Sequence, residues 1–203
     1  GSEIARSGEL MGHVTGVLFS PEDLRLIKDG PGERRRFMDI ALSQIRPSYY
    51  YALQRYARAL KQRNELLRTG NLETLDSWDE QLCREGARIM AARADYIERL
   101  NEAAARTHGD IAREREKLSI AYAPNVADGD LRGALLRTRE TDARRMTTSA
   151  GVHRDDVRFC VDGRELRLFG SQGQQRTAAL SLRLAELDVV RSESGEAPVL
   201  LLD

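Results

Sequence analysis

Apolar positions recur with two different periods along the chain, dividing it into a strand-like start, a long helical middle and a mixed return. Val14 to Phe19 alternates and is β-branched, which predicts a strand. Ser20-Pro21-Glu22-Asp23 closes it and opens a helix, with Ser as cap, Pro at the first helical position and acids in the first turn. Gly30-Pro31-Gly32 is a break, after which Phe37, Ile40, Ala41 and Ile45 mark one face of a helix from Glu33 to Ile45. Pro47 restarts a helix carrying Tyr49, Leu53, Tyr56, Leu60 and Leu67 at three- and four-residue spacing. Thr69-Gly70-Asn71 turns the chain. A helix capped by Asp76 then runs to Arg106, with Trp78, Leu82, Ile89, Tyr96, Ile97 and Leu100 facing inward. Gly86 and Arg93 interrupt that seam, so a short antiparallel arm is predicted in place of an autonomous coiled coil.

The return is mixed. Leu118 to Ala123 is a brief strand closed by Pro124-Asn125, and Asp130 to Arg145 is a helix expected to bury Leu131, Leu135 and Leu136. Thr147 to Val152, rich in small residues, leads to a strand over Val157 to Val161. Asp162-Gly163 is a two-residue hairpin signal joining that strand to Glu165 to Leu168. From Gln174 to Val190 apolar residues leave only a narrow polar side, which predicts a mostly buried helix. Gly195 and Pro198 end the connection and deliver the apolar run Val199-Leu200-Leu201-Leu202 with Asp203 at its end. Such a run reads as a buried strand of an α/β sheet, with a carboxylate where such sheets place ligands and magnesium.

The chemistry concentrates where that helix begins. In Gly170-Ser171-Gln172-Gly173-Gln174-Gln175-Arg176-Thr177, a short flexible entry turns at once into helix. Unpaired N–H groups, the Ser171 hydroxyl and the positive end of the helix dipole then converge on one spot that suits a phosphate. From spacing alone, Ser171 serves as well as an ordinary helix cap.

Several ordered motifs carry a resemblance. Ser171-Gln172-Gly173-Gln174-Gln175 looks like the signature motif of the ABC-type ATPases, and Val199 to Asp203 like their Walker B strand. Together with Gly151-Val152-His153-Arg154-Asp155-Asp156, Val17-Leu18-Phe19-Ser20-Pro21-Glu22-Asp23-Leu24 and Arg34-Arg35-Arg36-Phe37, they resemble the RecF family of bacterial recombination mediators, from about residue 9 to the last. There are departures. No Gly-x-x-x-x-Gly-Lys-Ser/Thr occurs, so the phosphate-cradling P-loop is absent. The family's acidic residue after the Walker B Asp is missing too, and the Q-loop Gln is replaced by Phe19, Ser20 and Glu22. The chain is therefore expected to be a piece of a longer protein, with Gly1-Ser2 compatible with a cloning remnant.

Composition narrows the picture further. Among 203 residues, 32 basic and 32 acidic side chains cancel, so no global attraction to nucleic acid exists and any DNA contact must be a local patch. Two Cys, at 83 and 160, form no CxxC pattern and suggest neither a disulfide framework nor a zinc site. Apolar runs are too short to span a bilayer, no secretory leader is seen, and a reducing cytoplasm fits. Arg34-Arg35-Arg36 lies in a first helical turn, where cations oppose the dipole; it is read as solvated or internally paired rather than as a DNA contact. The aromatic stripe of the arm is read as core before base stacking. His153, Arg154 and Asp155 have no nucleophile beside them and are read as a hydrogen-bonded junction.

The reading is an α+β chain. Residues 1–20 end a first ATPase-lobe sheet, 21–148 form a mainly helical second lobe with a short antiparallel arm, and 149–203 return to the ATPase lobe with signature helix and Walker B strand. The resemblance implies ATP sandwiched between two subunits, with Ser171, Gly173 and Gln174 meeting the γ-phosphate of the partner's ATP. Asp203 would act in cis as the catalytic carboxylate, holding Mg2+ through water. It further implies an ATP-dependent homodimer clamping single- and double-stranded DNA, working with recombination mediator proteins in recombinase loading, replication and the SOS response. The whole protein would be a weak DNA-dependent ATPase and this piece inactive alone. The alternatives are another SMC-like ATPase, or a helical interaction module with no nucleotide role.

Overall fold

The computed structural model describes residues 15–203. Val14 and the start of the 1–20 segment lie outside the described residues. Among the described residues, seven α-helices and five strands follow in the order β1 (Gly16–Phe19), α1 (Arg25–Lys28), α2 (Pro31–Ile45), α3 (Pro47–Thr69), α4 (Leu75–Ala112), β2 (Leu118–Ala123), α5 (Leu131–Arg145), β3 (Asp156–Val161), β4 (Arg164–Glu165), α6 (Leu166–Phe169), α7 (Gln172–Ser194) and β5 (Val199–Leu202), with short 3-10 turns at Pro21–Leu24 and Val152–Arg154. The strands form two sheets: a parallel pair of β1 and β5, and an antiparallel β2-β3-β4 sheet. Gly16 faces Val199 and Phe19 faces Leu202 across the parallel pair.

Helix α4 is the spine. At 38 residues it exceeds the predicted span at both ends, and Thr74 precedes it without a side-chain cap where Asp76 was expected. It packs against α3 on one side and α7 on another, with β2 and α5 also resting on it. Leu82, Ile89, Tyr96, Ile97 and Leu100 are all buried along it, as their spacing predicts. The two interruptions of its seam turn out to be packing features. Arg93 is buried in a polar network. Gly86 lets Leu131 of α5 approach, since a Cβ there would stand 2.6 Å from Leu131 Cδ2. Gly86→Ala is therefore expected to destabilise the fold: overpacking costs about 1–3 kcal/mol, while the better helix propensity of Ala returns at most about 1 kcal/mol. Urea unfolding of the two proteins checks the sign.

Elsewhere the structure corrects the pattern. Ile40 and Leu136 are 47% and 54% exposed, so neither joins the core. Helix α2 begins at Pro31, two residues before the predicted start, because Pro is favourable at a first helical position. Asp162 and Gly163 do turn a hairpin, with φ of 50° and 76°. The strand beyond it lasts only two residues, however, and Leu166–Phe169 is helical. Gly170 N–H and the Gln175 side-chain amide both donate to Leu166 O, which closes that turn. Most plainly, β5 is not a buried strand. Val199, Leu200, Leu201 and Leu202 are all exposed, because among the described residues β1 is its only ladder partner.

Candidate functional site at the start of helix α7

Helix α7 is anchored by Ala178, Ala179, Leu182, Ala185, Val189 and Val190, all buried. Its entrance is consequently held rigidly while Ser171, Gln172 and Gly173 stay exposed. Ser171 caps the helix in a reciprocal box. Its Oγ accepts from Gln174 N at 3.2 Å, and Gln174 Oε1 accepts from Ser171 N at 2.9 Å. The cap uses one lone pair of the hydroxyl and leaves its proton to donate. Cap and phosphate ligand are therefore compatible roles. The first N–H groups of a helix have no intrahelical acceptor; with that of Gln174 satisfied by Ser171, those of Gln172 and Gly173 belong to exposed residues.

The two nearby glycines differ in what they permit. A Cβ on Gly170 would collide with Leu166 O at 2.6 Å, which accounts for that glycine inside the chain. A Cβ on Gly173 would meet nothing closer than Ser171 Oγ at 3.9 Å. Helix α7 thus carries a helix-weakening residue at its entrance that the chain's own packing does not require. Leu168 and Phe169, just ahead of the loop, are 66% and 70% exposed.

Asp203 lies elsewhere. Its N–H donates to Phe19 O at 3.0 Å, extending the parallel ladder by one bond. Its carboxylate is exposed and borders an open cleft of about 500 Å³, shared with Ser20, Pro21, Asp23, Arg176 and Leu180. Ser171, Gly173 and Gln174 do not line that cleft, although Arg176 of the same helix does. Among the described residues no cluster of three or more His, Cys, Asp or Glu could enclose a metal. A lone accessible carboxylate does fit Mg2+, which keeps several waters and takes one or two carboxylates plus substrate phosphates.

In the junction segment His153 and Asp155 are engaged inside the chain, whereas Arg154 is exposed. His153 is held by Tyr56 Oη and Thr148 O, each at 3.0 Å, and burial pushes its pKa down, keeping it neutral near pH 7. Asp155 is fully buried, accepting from Arg93 Nη1 at 2.8 Å, Asn125 N at 2.9 Å and the Tyr122 hydroxyl. Asp156 takes Arg34 through both oxygens, at 2.6 and 3.1 Å, and Arg35 donates to Asp155 O. The first two arginines of the triplet are thus internally paired, and Arg36 is exposed.

Sequence reasoning missed the side chains that connect the cleft to helix α2. Arg183 of α7 binds Asp23 Oδ1 at 2.6 Å and Glu186 at 2.7 Å, and stacks over Phe37. Burial raises the Glu186 pKa despite that partner. The available signal was the i, i+3 spacing of Arg183 and Glu186 amid the apolar positions of the helix.

No family model matches the chain. Curated proteins do. It is 43% identical to the DNA replication and repair protein RecF of Acetivibrio thermocellus over 98% of its own length and 58% of that protein. For the RecF of Halothermothrix orenii the identity is 44%, covering 98% of the chain and 57% of the relative. Among solved structures, the recombination mediator protein RecF-ATPrS in the RecFOR pathway superposes with a TM-score of 0.93 at 35% identity, over 98% of this chain and 57% of that one. RecF-ATP in the same pathway gives 0.91 at 37% identity, with the same coverage. The chain therefore spans a little over half the length of the relatives it matches. Over nearly all of its own length, in sequence and in fold, the chain resembles RecF.

Proposed function

We propose that this chain is the signature-bearing part of a RecF-like DNA repair ATPase, and that the α7 entrance closes over the γ-phosphate of ATP held by a second subunit. Gly173 carries the reading. It is an exposed glycine at a helix entrance whose missing side chain answers to nothing inside the chain, and an incoming phosphate needs that space. That Ser171 does not line the Asp203 cleft is in keeping with action in trans. Exposed Leu168 and Phe169 beside the loop fit a surface that becomes covered.

In this scheme the Ser171 hydroxyl and the Gly173 N–H donate to phosphate oxygens, while the Gln174 side chain, engaged at both ends inside the chain, shapes the loop. Asp203 would hold Mg2+ through water in cis; Mg2+, when bound, neutralises charge developing on the phosphates. ATP-driven dimerisation would then form the surface that clamps single- and double-stranded DNA, in the company of recombination mediators, for recombinase loading, replication and the SOS response. The phosphate cradle of a P-loop is not among these residues, so this chain by itself is expected to turn over no ATP.

Gly173→Ala, made in the complete reading frame that carries the chain, tests the reading by sedimentation velocity with and without Mg-ATP. Its thermal stability should match or slightly exceed the wild type, since Ala is the better helix former. Its ATP-dependent dimerisation should weaken about tenfold, the equivalent of one displaced phosphate contact of about 1.4 kcal/mol. Dimerisation indistinguishable from the wild type would overturn the assignment.

A further inference from the structure

Between α4 and β2 the chain makes a turn that costs energy. Arg113 and Glu114, neither of them glycine, sit consecutively in the left-handed region with φ of 54° and 56°, a conformation that disfavours ordinary side chains. Both of their N–H groups converge on Gly109 O. The conformation delivers Glu116 to the entrance of α7, where its Oε1 accepts from Gln174 Nε2 at 3.1 Å. The other oxygen of the same carboxylate faces Nε2 of His108, a fully buried side chain on α4, at 3.5 Å. That nitrogen makes no hydrogen bond, while Nδ1 of the ring lies 3.1 Å from Ser181 Oγ on α7. Hydrogen bonds therefore run from Ser171 through Gln174 to Glu116, whose other oxygen lies against His108, itself in contact with the middle of α7.

We propose that Glu116 is a positioning residue for the phosphate-sensing loop. A Gln side chain has several rotatable bonds, and its hydrogen bond to the Ser171 N–H survives only while the amide is kept in place. With Nε2 held by Glu116, Gln174 Oε1 is aimed at the Ser171 N–H and the capping box stays formed before any nucleotide arrives. The loop then meets phosphate without first ordering itself, which is how preorganisation gains affinity. A competing role has the opposite sign. If Glu116 were only an anion placed near the positive end of the α7 dipole, it would compete with phosphate, and removing it would tighten ATP-dependent association.

This inference rests on the signature reading of Ser171, so the test carries both. In the complete reading frame, Mg-ATP-dependent dimerisation is measured by sedimentation for Glu116→Ala, Glu116→Gln, Gln174→Ala, the Glu116→Ala/Gln174→Ala double variant and Ser171→Arg. Glu116→Ala should weaken dimerisation about tenfold, the size of a hydrogen bond to a charged group. Glu116→Gln, which keeps an acceptor for Gln174 Nε2, should recover to within about threefold. The double variant should be no weaker than Gln174→Ala alone, because both substitutions break one contact. Dimerisation by Glu116→Ala that equals or exceeds the wild type, or additive losses in the double variant, would overturn the positioning role while Ser171→Arg still fails to dimerise. If Ser171→Arg also dimerises normally, the signature reading itself falls and this inference with it. Should Glu116→Ala not fold, Glu116→Leu, which keeps bulk at the position and offers Gln174 Nε2 no acceptor, is judged by the same outcomes.

Discussion

Asp155→Ala is expected to lower the stability of the fold by about 3–5 kcal/mol, the range for a buried ion pair that loses one member. The residue has no exposed surface, and three donors from three separate elements converge on it: Arg93 of α4, Tyr122 of β2 and the Asn125 backbone. Burial works against the charge on Arg93, yet attraction to Tyr49, Asp39 and Asp155 outweighs it and holds the guanidinium pKa above its usual value. Truncating Asp155 removes part of that compensation and leaves the charge in place. Arg93 would keep Val152 O and Asp39 as partners, which argues for the lower half of the range. Tyr122 and Asn125 would each lose an acceptor, which argues for the upper half. Asp155→Asn retains an acceptor and should cost visibly less. Guanidinium unfolding of the three proteins orders them, and an Asp155→Ala midpoint equal to the wild type would mean that the network does not hold α4, β2 and the Asn125 segment together.

The same network shows why part of the fold was legible in the residues and part was not. Local signals sufficed where the decisive partners are near in sequence: the Asp162-Gly163 hairpin, the Ser20-Pro21 helix start and the alternation of Leu118 to Ala123 are all present. Arg93 broke the periodic seam of α4 and could be read only as an interruption, since its partners Asp39 and Asp155 lie 54 and 62 residues away. Gly86 likewise acquires its meaning from Leu131. The apolar run of β5 pointed to a strand correctly and to burial incorrectly, because composition reports what a strand can bury and not what lies against it. In the candidate site, the cap at Ser171 was legible from the Ser-x-x-Gln spacing. The engagement of Gln174 by Glu116, 58 residues distant, was not.

Ser171→Arg is the substitution expected to abolish ATP-driven dimerisation while leaving the subunit folded and able to bind ATP. Ser171 is exposed, so a long side chain is accommodated in the monomer without entering the core. The loss of the cap costs helix α7 about 1 kcal/mol, a small penalty for a helix whose stability comes from the buried face carrying Ala178, Leu182 and Ala185. Within one chain Ser171 stands outside the Asp203 cleft, so nucleotide gripped on that side should be unaffected. In a dimer, the guanidinium would occupy the space that the short hydroxyl and Gly173 keep open for phosphate. Charge alone would be attractive there, and the separation of the two effects lies in Ser171→Ala. That variant removes the donor without adding bulk and should dimerise more weakly than wild type by about tenfold, with Ser171→Arg showing no ATP-dependent dimer at all. Monomeric Ser171→Arg that still binds ATP in equilibrium dialysis places the residue in trans. Dimers from all three proteins alike would reduce Ser171 to a helix cap.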